Sequence, residues 1–199
     1  MVLATANPDK AAEMVAVLDG LGLHLVPRPA EIPEVDETGA TLVANARLKA
    51  EAICRGTGCA ALADDTGLEV DALGGAPGVH SARYSGADAT YQQNVAKLLA
   101  EMANAMRNSR TARFRTVVVL ARPDGSEVVA EGVVEGVIAE APVGGGGFGY
   151  DPVFVPAGGG GRTFAEMTMA EKQTLSHRTR ALRALVARLR EAAPASSEE

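Results

Sequence analysis

Tryptophan is absent from this chain of 199 residues, and the aromatic residues together supply only 4% of it. Cysteine is scarce as well, since the chain has only Cys54 and Cys59, and there are three histidines. A disulfide framework or a zinc site would need more of these residues, so the sequence supports neither. We expect both cysteines to be reduced.

Long apolar runs and an excess of basic residues are also missing. No stretch reaches the roughly 18 apolar residues of a membrane span, and the apolar run from Met1 to Ala4 is too short for a signal peptide. The 25 acidic residues outnumber the 19 basic ones, and the formal charge of −6 argues against a surface that binds nucleic acid. We therefore predict a cytoplasmic protein that binds neither membranes nor nucleic acid.

The arrangement of the apolar segments predicts an α/β fold. Segments rich in valine at 114–121 and 127–139 flank Arg122-Pro123-Asp124-Gly125-Ser126, which is a strong signal for an antiparallel hairpin. Elsewhere strands alternate with helices, so a mixed sheet is expected rather than a purely parallel one. The further strands are predicted at 1–4 and 24–26, and the helices at 8–21, from a cap at Thr38 or Thr41 to 55, at 91–106 and at 176–191.

The composition and length predict a single domain. Apolar residues make up 47% of the chain and charged residues 22%, which is typical of a globular protein. A chain of this length suits one domain, which we place over residues 1–191. The remaining residues, 192–199, are polar, and we expect them to form a disordered tail.

The stretch Ala63-Asp64-Asp65-Thr66-Gly67 carries two adjacent carboxylates. We interpret the apolar run from Cys59 to Ala63 as a strand that delivers both acids to its end. Because successive strand residues face opposite sides, Asp64 and Asp65 cannot both point the same way. Carboxylate oxygens suit Mg²⁺, which takes one or two of them together with substrate phosphates and waters. The same residue types also form turns, so the motif alone leaves a plain turn open.

A strand leads into a helix at Thr5-Ala6-Asn7-Pro8-Asp9-Lys10. Proline is favoured at the first helical position, where its missing N–H costs nothing. The free backbone N–H groups and the dipole of a helix start favour an anion, and Lys10 adds a positive charge one turn in. The junction therefore suits a phosphate, although this sequence is also typical of an ordinary capped helix with a lysine exposed to solvent.

Acidic residues gather at 33–39, ahead of the second predicted helix. Glu37 lies just before that helix, where it is either a surface acid favoured by the helix dipole or a second metal ligand. Asn45 and Lys49 lie one turn apart on the helix, so they are candidates for lining a cleft.

Glycines surround one of the few aromatic residues at 144–151. They let the backbone approach a ligand closely, and they leave Phe148 with few neighbours on which to pack. Phe148 therefore either stacks on a planar ring, which is worth roughly 1–3 kcal/mol for a nucleic acid base, or tucks into the core from a flexible loop. In the first case Asp151 could fix an edge of the base.

Three basic side chains lie near the starts of the last two predicted helices. Thr168-Met169-Ala170-Glu171 resembles a capping box and precedes Lys172, and His177 and Arg178 begin the final helix. A helix dipole disfavours cations at these positions unless an anion or a polar ligand lies among them, which favours a binding site. A lone His177 is also common as a surface residue or a satisfied core residue.

Together and in this order, these segments resemble the inosine triphosphate pyrophosphatase family, also called the Ham1 family, over nearly the whole chain. Each segment is weak alone, but the set is specific. The matching segments are Leu3-Ala4-Thr5-Ala6-Asn7-Pro8-Asp9-Lys10, Glu37-Thr38-Gly39 with Asn45-Ala46, Ala63-Asp64-Asp65-Thr66-Gly67-Leu68, Gly75-Ala76-Pro77-Gly78 with Ser81-Ala82-Arg83-Tyr84, Gly147-Phe148-Gly149-Tyr150-Asp151-Pro152, and Ser176-His177-Arg178.

The resemblance implies two lobes around a long mixed β-sheet, with a deep cleft between them, and a homodimer. It implies hydrolysis of ITP, dITP and XTP to the monophosphate and pyrophosphate. By matched position, Glu37 and Asp65 are expected to hold Mg²⁺, Asp65 is also the expected catalytic base, and Asp64 supports them. The residues expected to bind the purine nucleoside triphosphate are Thr5, Ala6, Asn7, Pro8, Asp9, Lys10, Thr66, Phe148, Gly149, Tyr150, Asp151, Lys172, His177 and Arg178.

Within that set, the resemblance gives separate roles to the phosphate side and the base side. Thr5, Asn7 and Lys10 are expected to bind the triphosphate, and Phe148 is expected to stack on the base. The residues expected to read the edge of the base are Asp151, Lys172, His177 and Arg178.

One position departs from the family pattern, and two other classes of function stay open. Ala6 stands where the family usually has glycine, which costs about 1 kcal/mol if that position needs a positive φ. A nucleotide-binding regulator without catalysis could dispense with Glu37, Asp64 and Asp65, so their presence argues against it. A metal-dependent phosphomonoesterase or nuclease would use the same acids but would not need the residues that read the base.

Overall fold

The structure, a computed structural model, describes residues 1–192, except for the side chain of Arg107. A six-stranded mixed sheet forms its centre, with β1 parallel to β2 and the other pairings antiparallel. The sheet order is β1, β2, β4, β5, β6, and β3 pairs with β2. The strands are β1 (Val2–Leu3), β2 (Ala61–Val70), β3 (Pro77–Gly78), β4 (Thr111–Ala121), β5 (Glu127–Ile138) and β6 (Phe154–Pro156).

Five α-helices accompany this sheet in the described part of the chain. They are α1 (Pro8–Asp19), α2 (Leu42–Thr57), α3 (Tyr91–Glu101), α4 (Met169–Leu175) and α5 (His177–Ala192). The predicted α/β fold, the hairpin of β4 and β5 and the capping box at Thr168 are confirmed. No helix within residues 1–192 is long and apolar enough to cross a membrane.

The tail predicted at 192–199 is only partly covered. Ala192 is the last residue of α5 rather than the first residue of a tail. The prediction for 193–199 lies outside the described residues.

β2 is longer than the sequence predicts. The expected strand ends at Ala63, but the observed strand continues to Val70. The reason is its partner, since Asp64 lies opposite Val118 and the unbroken ladder with β4 continues to the end of β2. The two aspartates therefore lie within a strand and not at its end, and the plain-turn alternative is wrong.

Two other predicted elements are shorter than expected. The strand predicted at 24–26 is reduced to one bridge between Val26 and Val2, because prolines follow at 27 and 29 and proline cannot donate to a ladder. The helix predicted over 91–106 ends at Glu101. The remaining helices end within about one turn of the predictions, as expected for helix termini.

The long strands run through both lobes of the molecule. In one lobe, β2 and β4 pack against α2 on one face, and their other face packs against α1 and α5. In the other lobe, a cluster that includes Phe114, Phe154 and Phe164 packs against α3. The middle of β2 lies where these clusters meet, and it carries the two aspartates.

Candidate active site

Asp64 and Asp65 face opposite sides of the sheet, as the alternation of a strand predicts. Asp64 faces α1 and α5. Its Oδ2 accepts hydrogen bonds of 3.2 Å from Nε and Nη2 of Arg178 and lies 3.4 Å from Nζ of Lys10. Burial raises the pKa of Asp64, but the charges of Lys10 and Arg178 outweigh it and hold this pKa far below its ordinary value. Asp64 is therefore an anion that fixes two cations.

The second carboxylate oxygen of Asp64, Oδ1, differs from Oδ2 in its hydrogen bonding. Among the described residues, Oδ1 of Asp64 is buried and accepts no hydrogen bond. An unmet buried acceptor costs about 1–3 kcal/mol, and such groups are found where a site is completed by water or by a ligand. The middle of β2 thus contains an acceptor that the protein itself does not satisfy.

Asp65 faces α2, where two polar side chains meet it. Nδ2 of Asn45 and Nζ of Lys49 each donate a hydrogen bond of 3.2 Å to this carboxylate. Burial raises the pKa of Asp65, and the charges of Lys49 and Lys10 offset only part of this rise. A carboxylate with a raised pKa is better suited to accept a proton near neutral pH.

Glu37 belongs to the same cluster and is not a solvated surface acid. Its Oε1 accepts a hydrogen bond of 2.7 Å from Nζ of Lys49. Arg83 donates to Oε2 of Glu37 at 3.3 Å and to its backbone carbonyl at 3.1 Å. Burial raises the pKa of Glu37, but Lys49, Lys10 and Arg83 together lower it below its ordinary value. Glu37 is therefore a partly buried acid, 26% exposed, that pairs with two cations.

Asn45 ties the Glu37 loop to β2. Its Oδ1 accepts a hydrogen bond of 2.7 Å from the backbone N–H of Gly39, while its Nδ2 donates to Asp65. A Cβ on Gly39 would lie 2.6 Å from that same Oδ1, so a larger residue would push the loop away. One buried amide thus sets the separation of Glu37 and Asp65.

Glu37 and Asp65 fit a magnesium ion. One oxygen of each lies within hydrogen-bond distance of the same Lys49 ammonium, at 2.7 and 3.2 Å, so the two carboxylates converge on one cationic position. Both are hard oxygen donors of the kind Mg²⁺ prefers. Residues 1–192 contain no group of three or more His, Cys, Asp or Glu side chains that could hold a metal, so a bound ion would also need phosphates and water.

The N-terminus of α1 opens onto the cleft. Asn7 caps the helix, because its Oδ1 accepts hydrogen bonds from the backbone N–H groups of Asp9 at 2.9 Å and Lys10 at 3.1 Å. The backbone N–H of Asn7 donates to Oγ1 of Thr5 at 3.2 Å. Thr5, Ala6, Asn7 and Lys10 all line the cleft.

Ala6, which stands where the family usually has glycine, is not in a strained backbone conformation. Within residues 1–192, the residues with a positive φ are all glycines. The backbone at Ala6 therefore needs no left-handed conformation, and the expected cost of about 1 kcal/mol does not arise.

Tyr91, the first residue of α3, connects the start of α1 to the other lobe. Its hydroxyl accepts a hydrogen bond of 3.0 Å from Nδ2 of Asn7 and donates one of 3.1 Å to Oδ2 of Asp9. Its ring centre lies 5.9 Å from that of Phe148. Asp9 is engaged by Tyr91, and neither Asp9 nor Pro8 lines the cleft.

Phe148 is half-buried and lines the cleft rather than the core. Nζ of Lys172 lies 4.8 Å from its ring centre, and Cζ of Arg178 lies 5.7 Å from it. Asp151 holds this arrangement, since its Oδ2 accepts a hydrogen bond of 2.8 Å from the backbone N–H of Phe148 and another from Nζ of Lys172.

The residues after Phe148 complete this wall of the cleft. Gly149 has a φ of +62°, a conformation that glycine adopts without strain. Tyr150 is buried, and its hydroxyl donates a hydrogen bond of 2.9 Å to the carbonyl of Ser81. This bond ties the loop to the segment that follows β3.

His177 is buried at the start of α5. Its Nδ1 shares a hydrogen bond of 2.6 Å with Oγ1 of Thr116, and its ring stacks on Phe114 with the ring centres 4.6 Å apart. Burial, together with the charges of Arg178 and Lys172, lowers the pKa of His177 well below its ordinary value. The ring is therefore neutral at neutral pH.

Glu13 explains how the cations of this wall lie so close together, and the sequence interpretation misses it. Its carboxylate accepts a hydrogen bond from Nη1 of Arg178 and lies 2.7 Å from Nζ of Lys172. Glu13 follows Lys10 by three residues on α1, so both lie on one helix face. That spacing is the signal from which Glu13 could have been found.

The cleft has two compartments, and Asn7, Lys10 and Glu37 line both. The surface of the first compartment is mostly apolar, and the second is more polar, with charged side chains of both signs. The first also contains Asp65, Thr66, Phe114, Phe148, Gly149, Tyr150, Asp151, Lys172, His177 and Arg178. The second also contains Thr5, Ala6, Arg28, Glu34, Asp36, Lys49 and Arg83.

Comparison with known proteins gives a match along most of the chain. A model of the Ham1 family matches residues 1–188. A dITP/XTP pyrophosphatase of Symbiobacterium thermophilum is 49% identical over 200 residues, covering 100% of this chain and 97% of that protein.

Solved structures agree with the sequence match. A Ham1 protein from Coxiella burnetii superposes with a TM-score of 0.85 at 41% identity, covering 96% of this chain and 98% of the other. A nucleoside-triphosphatase, or dITP/XTP pyrophosphatase, from Mycobacterium abscessus superposes with a TM-score of 0.75 at 47% identity, covering 94% and 98%.

Proposed function

The chain belongs to the Ham1 family, and on that premise we propose that it is a nucleoside triphosphate pyrophosphatase acting on non-canonical purine nucleotides. It hydrolyses ITP, dITP and XTP to the nucleoside monophosphate and pyrophosphate. Relatives that cover almost the whole chain carry the name dITP/XTP pyrophosphatase, which supports this activity. Removal of such nucleotides from the pool is the corresponding role.

The two-compartment cleft is the observation that carries this proposal. A purine nucleoside triphosphate has a flat base at one end and a highly charged chain at the other. The compartment with Phe148 suits the base, and the compartment with Thr5 and Arg83 suits the phosphates. Lys10 and Glu37 stand at the junction, where the α-phosphate would lie.

We propose that the reaction depends on Mg²⁺ held by Glu37 and Asp65. The convergence of both carboxylates on one ammonium group supports this assignment. When bound, the ion supplies charge neutralisation of the triphosphate and activation of water. Lys49, which bridges the two acids, would then be released toward the phosphates in the same compartment.

On the protein side, Asp65 is proposed to accept the proton of the attacking water. Its raised pKa supports this role, because general bases work best when their pKa approaches the working pH. Asp64 has a different task, which is to hold Lys10 and Arg178 in place as an anion. The backbone N–H groups at the start of α1 and Lys10 bind phosphate oxygens.

The other wall of the cleft is proposed to bind and select the base. Phe148 stacks on the purine ring. Lys172 and Arg178 are donors, and a 6-oxopurine presents an acceptor where adenine presents an amino group. Adenine would leave two donors facing each other in a buried site, which costs about 1–3 kcal/mol. Asp151 accepts hydrogen bonds from Lys172 and from the backbone of Phe148, and so holds these two groups in fixed positions relative to each other.

A product assay with four nucleotides tests this function. Pyrophosphate and orthophosphate are measured from ITP, XTP, GTP and ATP, each with Mg²⁺ and with EDTA. Pyrophosphate from ITP and XTP that requires the metal, with little from ATP, is expected. Orthophosphate from all four would indicate an unselective phosphatase, and the absence of any product would favour a binding protein.

We further propose a cytoplasmic homodimer, on the basis of the family resemblance. Light scattering coupled to gel filtration gives the mass in solution. A mass of one chain at micromolar concentration would contradict the dimer.

A further inference from the structure

Two threonine hydroxyl groups, one partly buried and one fully buried, form a hydrogen-bonded line across the sheet. Oγ1 of Thr66 donates a hydrogen bond of 3.2 Å to Oδ2 of Asp64. The same oxygen shares a bond of 2.7 Å with Oγ1 of Thr116, which in turn shares one of 2.6 Å with Nδ1 of His177. Thr116 is fully buried in β4, opposite Thr66, and no role described so far uses it.

The charge at one end of this line fixes the direction of every bond in it. Asp64 is held as an anion by Arg178 and Lys10, so its carboxylate only accepts. A hydroxyl has a single proton, and Thr66 gives its proton to Asp64. Thr66 must therefore accept a hydrogen bond from Thr116, and Thr116 donates its single hydroxyl proton in that bond.

Thr116 has only its lone pairs left for His177. The hydrogen bond of 2.6 Å therefore requires a proton on Nδ1 of the ring. In a neutral imidazole, a proton on Nδ1 leaves Nε2 as a bare acceptor. Nε2 makes no hydrogen bond with any residue of the described chain, and His177 lines the base compartment.

The opposite direction would cost more. If Thr66 donated to Thr116, its oxygen would turn a lone pair toward the buried carboxylate of Asp64 at 3.2 Å. Thr66 also accepts a hydrogen bond of 3.2 Å from Nη2 of Arg178, which leaves its proton free for Asp64. With one proton donated and two bonds accepted, the hydroxyl of Thr66 is fully satisfied in the first direction only.

We propose that Thr116 is a specificity-determining positioning residue, which holds His177 in the tautomer whose Nε2 accepts a hydrogen bond from the base. This inference rests on the proposed function and deepens it. His177 and Arg178 both line the base compartment, so they offer it an acceptor and a donor. That pair complements a lactam edge, in which a ring N–H lies next to a carbonyl.

The lactam edge distinguishes the substrates from adenine nucleotides. Hypoxanthine and xanthine carry a proton on N1 beside the carbonyl at C6. Adenine has a lone pair at N1 and an amino group at C6. An acceptor would then face Nε2 of His177, and a donor would face Arg178. The hydroxyl line thus adds a second point of discrimination to that supplied by the donors Lys172 and Arg178.

The tautomer can be read directly in the wild-type protein. Long-range ¹H–¹⁵N NMR correlation distinguishes a protonated ring nitrogen from a bare one, and a His177→Gln variant assigns the signals. The expected spectrum at pH 7.5 shows Nδ1 of His177 protonated and Nε2 bare. A proton on Nε2 in the free protein would overturn the inference without any variant or activity measurement.

Substitution of Thr116 tests the consequence for selectivity. Thr116→Val keeps the shape and removes the hydroxyl, Thr116→Ser keeps the hydroxyl, and Thr111→Val makes the same change at an exposed position of β4. The ratio of the dissociation constants of AMP and IMP is measured for each. We expect this ratio to fall about tenfold in Thr116→Val and to stay near the wild-type value in the other two.

The NMR spectrum accompanies each variant. Loss of the Nδ1-protonated signal in Thr116→Val and its retention in Thr116→Ser would support the inference. An unchanged AMP to IMP ratio in a folded Thr116→Val, or a ratio that Thr116→Ser fails to preserve, would overturn it.

Neither readout depends on turnover, because the monophosphates contain no phosphoanhydride bond. Failure to release pyrophosphate from ITP would therefore contradict the proposed function alone. A normal pyrophosphatase with the opposite tautomer would contradict this inference alone.

Discussion

Asp64 and Asp65 are neighbours in β2, yet burial and charge shift their pKa values in opposite directions. Asp64 meets two cations at α1 and α5, and these outweigh the effect of burial. Burial is the largest cause of the raised pKa of Asp65; Lys49 offsets only part of it, and the nearby acids Glu37 and Asp64 add to it. The alternation of the strand therefore turns two identical residues into a structural anion and a potential base.

Asp65→Asn tests this division of labour. The amide keeps the size of the side chain and its contact with Asn45, but it cannot accept a proton and is a weaker ligand for a cation. We expect kcat for ITP to fall by at least about 100-fold, the lower range for loss of a general base, while IMP still binds. Steady-state kinetics and calorimetric titration measure the two effects.

Asp88→Asn is the matched control, because Asp88 is an exposed acid that lines neither compartment of the cleft. Its kcat should equal that of the wild type. Wild-type turnover in Asp65→Asn would remove Asp65 from the mechanism.

Phe148 offers a second test at the level of one side chain. Phe148→Ala removes the ring beside which Lys172 and Arg178 lie, and Phe148→Tyr keeps it. Stacking worth roughly 1–3 kcal/mol predicts that KM for every purine triphosphate rises at least fivefold in Phe148→Ala. Phe148→Tyr should stay within about twofold of the wild type, and identical kinetics for Phe148→Ala would show that no stacking occurs.

At the scale of elements, Tyr91 is the contact that joins α3 to the start of α1. Its hydroxyl contacts Asn7, the cap of α1, and its ring lies beside that of Phe148 in the first compartment. One side chain thus spans the mouth of the cleft between the two lobes.

Tyr91→Phe separates the two contacts, since it keeps the ring and removes the hydroxyl. We expect KM for ITP to rise roughly threefold, the effect of one partly exposed hydrogen bond, with kcat unchanged. Tyr84→Phe provides the control, because Tyr84 also bears a hydroxyl bonded to an acid, Glu101, but lies outside both compartments. Equal KM values for Tyr91→Phe and the wild type would show that the bridge has no role in binding.

The elements that local sequence determines are the ones that could be predicted. The hairpin turn at 122–126, the proline at the first position of α1 and the capping box at Thr168 depend on neighbouring residues, and each is confirmed. The end of β2 could not be predicted in this way. Turn-forming residues follow Ala63, but pairing with β4 overrides their local preference.

The candidate site shows the same division. Glu37, Asp65, Phe148 and Arg178 stand in recognisable motifs, and the structure brings them to one cleft. Glu13, Thr116 and Tyr91 stand in no motif, and each acts through a partner far away in the sequence. Thr116 and His177, for example, are 61 positions apart, and only the folded sheet brings them together.

At the scale of the whole molecule, the cleft is a buried ionic cluster assembled from both lobes. Lys10, Lys172 and Arg178 are matched there by the acids Glu13, Asp64 and Asp151. A matched cluster lets the molecule keep cations in a largely apolar place, but removing one partner leaves a buried charge unpaired. Stability and binding are therefore linked in this protein.

His177 makes the free energy of unfolding depend on pH. Its pKa in the folded protein is lowered below the ordinary value. Below that ordinary value, the unfolded chain binds a proton on His177 that the folded chain does not bind. The free energy of unfolding must then decrease as the pH falls below about 6.5, by at most about 1.4 kcal/mol per pH unit from this group. The effect is absent above that pH, where both states are neutral.

Urea unfolding between pH 7.5 and 5 measures this contribution against variants. In His177→Gln, the free energy of unfolding should fall less steeply on acidification than in the wild type. His80→Gln serves as the control, because it makes the same substitution at an exposed histidine. Parallel curves for wild type and His177→Gln would mean that His177 titrates alike in both states.

A competition between ITP and ATP in one tube tests the proposed selective pyrophosphatase activity. ITP and ATP are mixed at equal concentration with Mg²⁺ and the wild-type protein, and ³¹P NMR follows both nucleotides and their products. We expect ITP to disappear as the IMP and pyrophosphate signals grow, while ATP remains. Consumption of both nucleotides at the same rate, or orthophosphate as the first product, would contradict this activity.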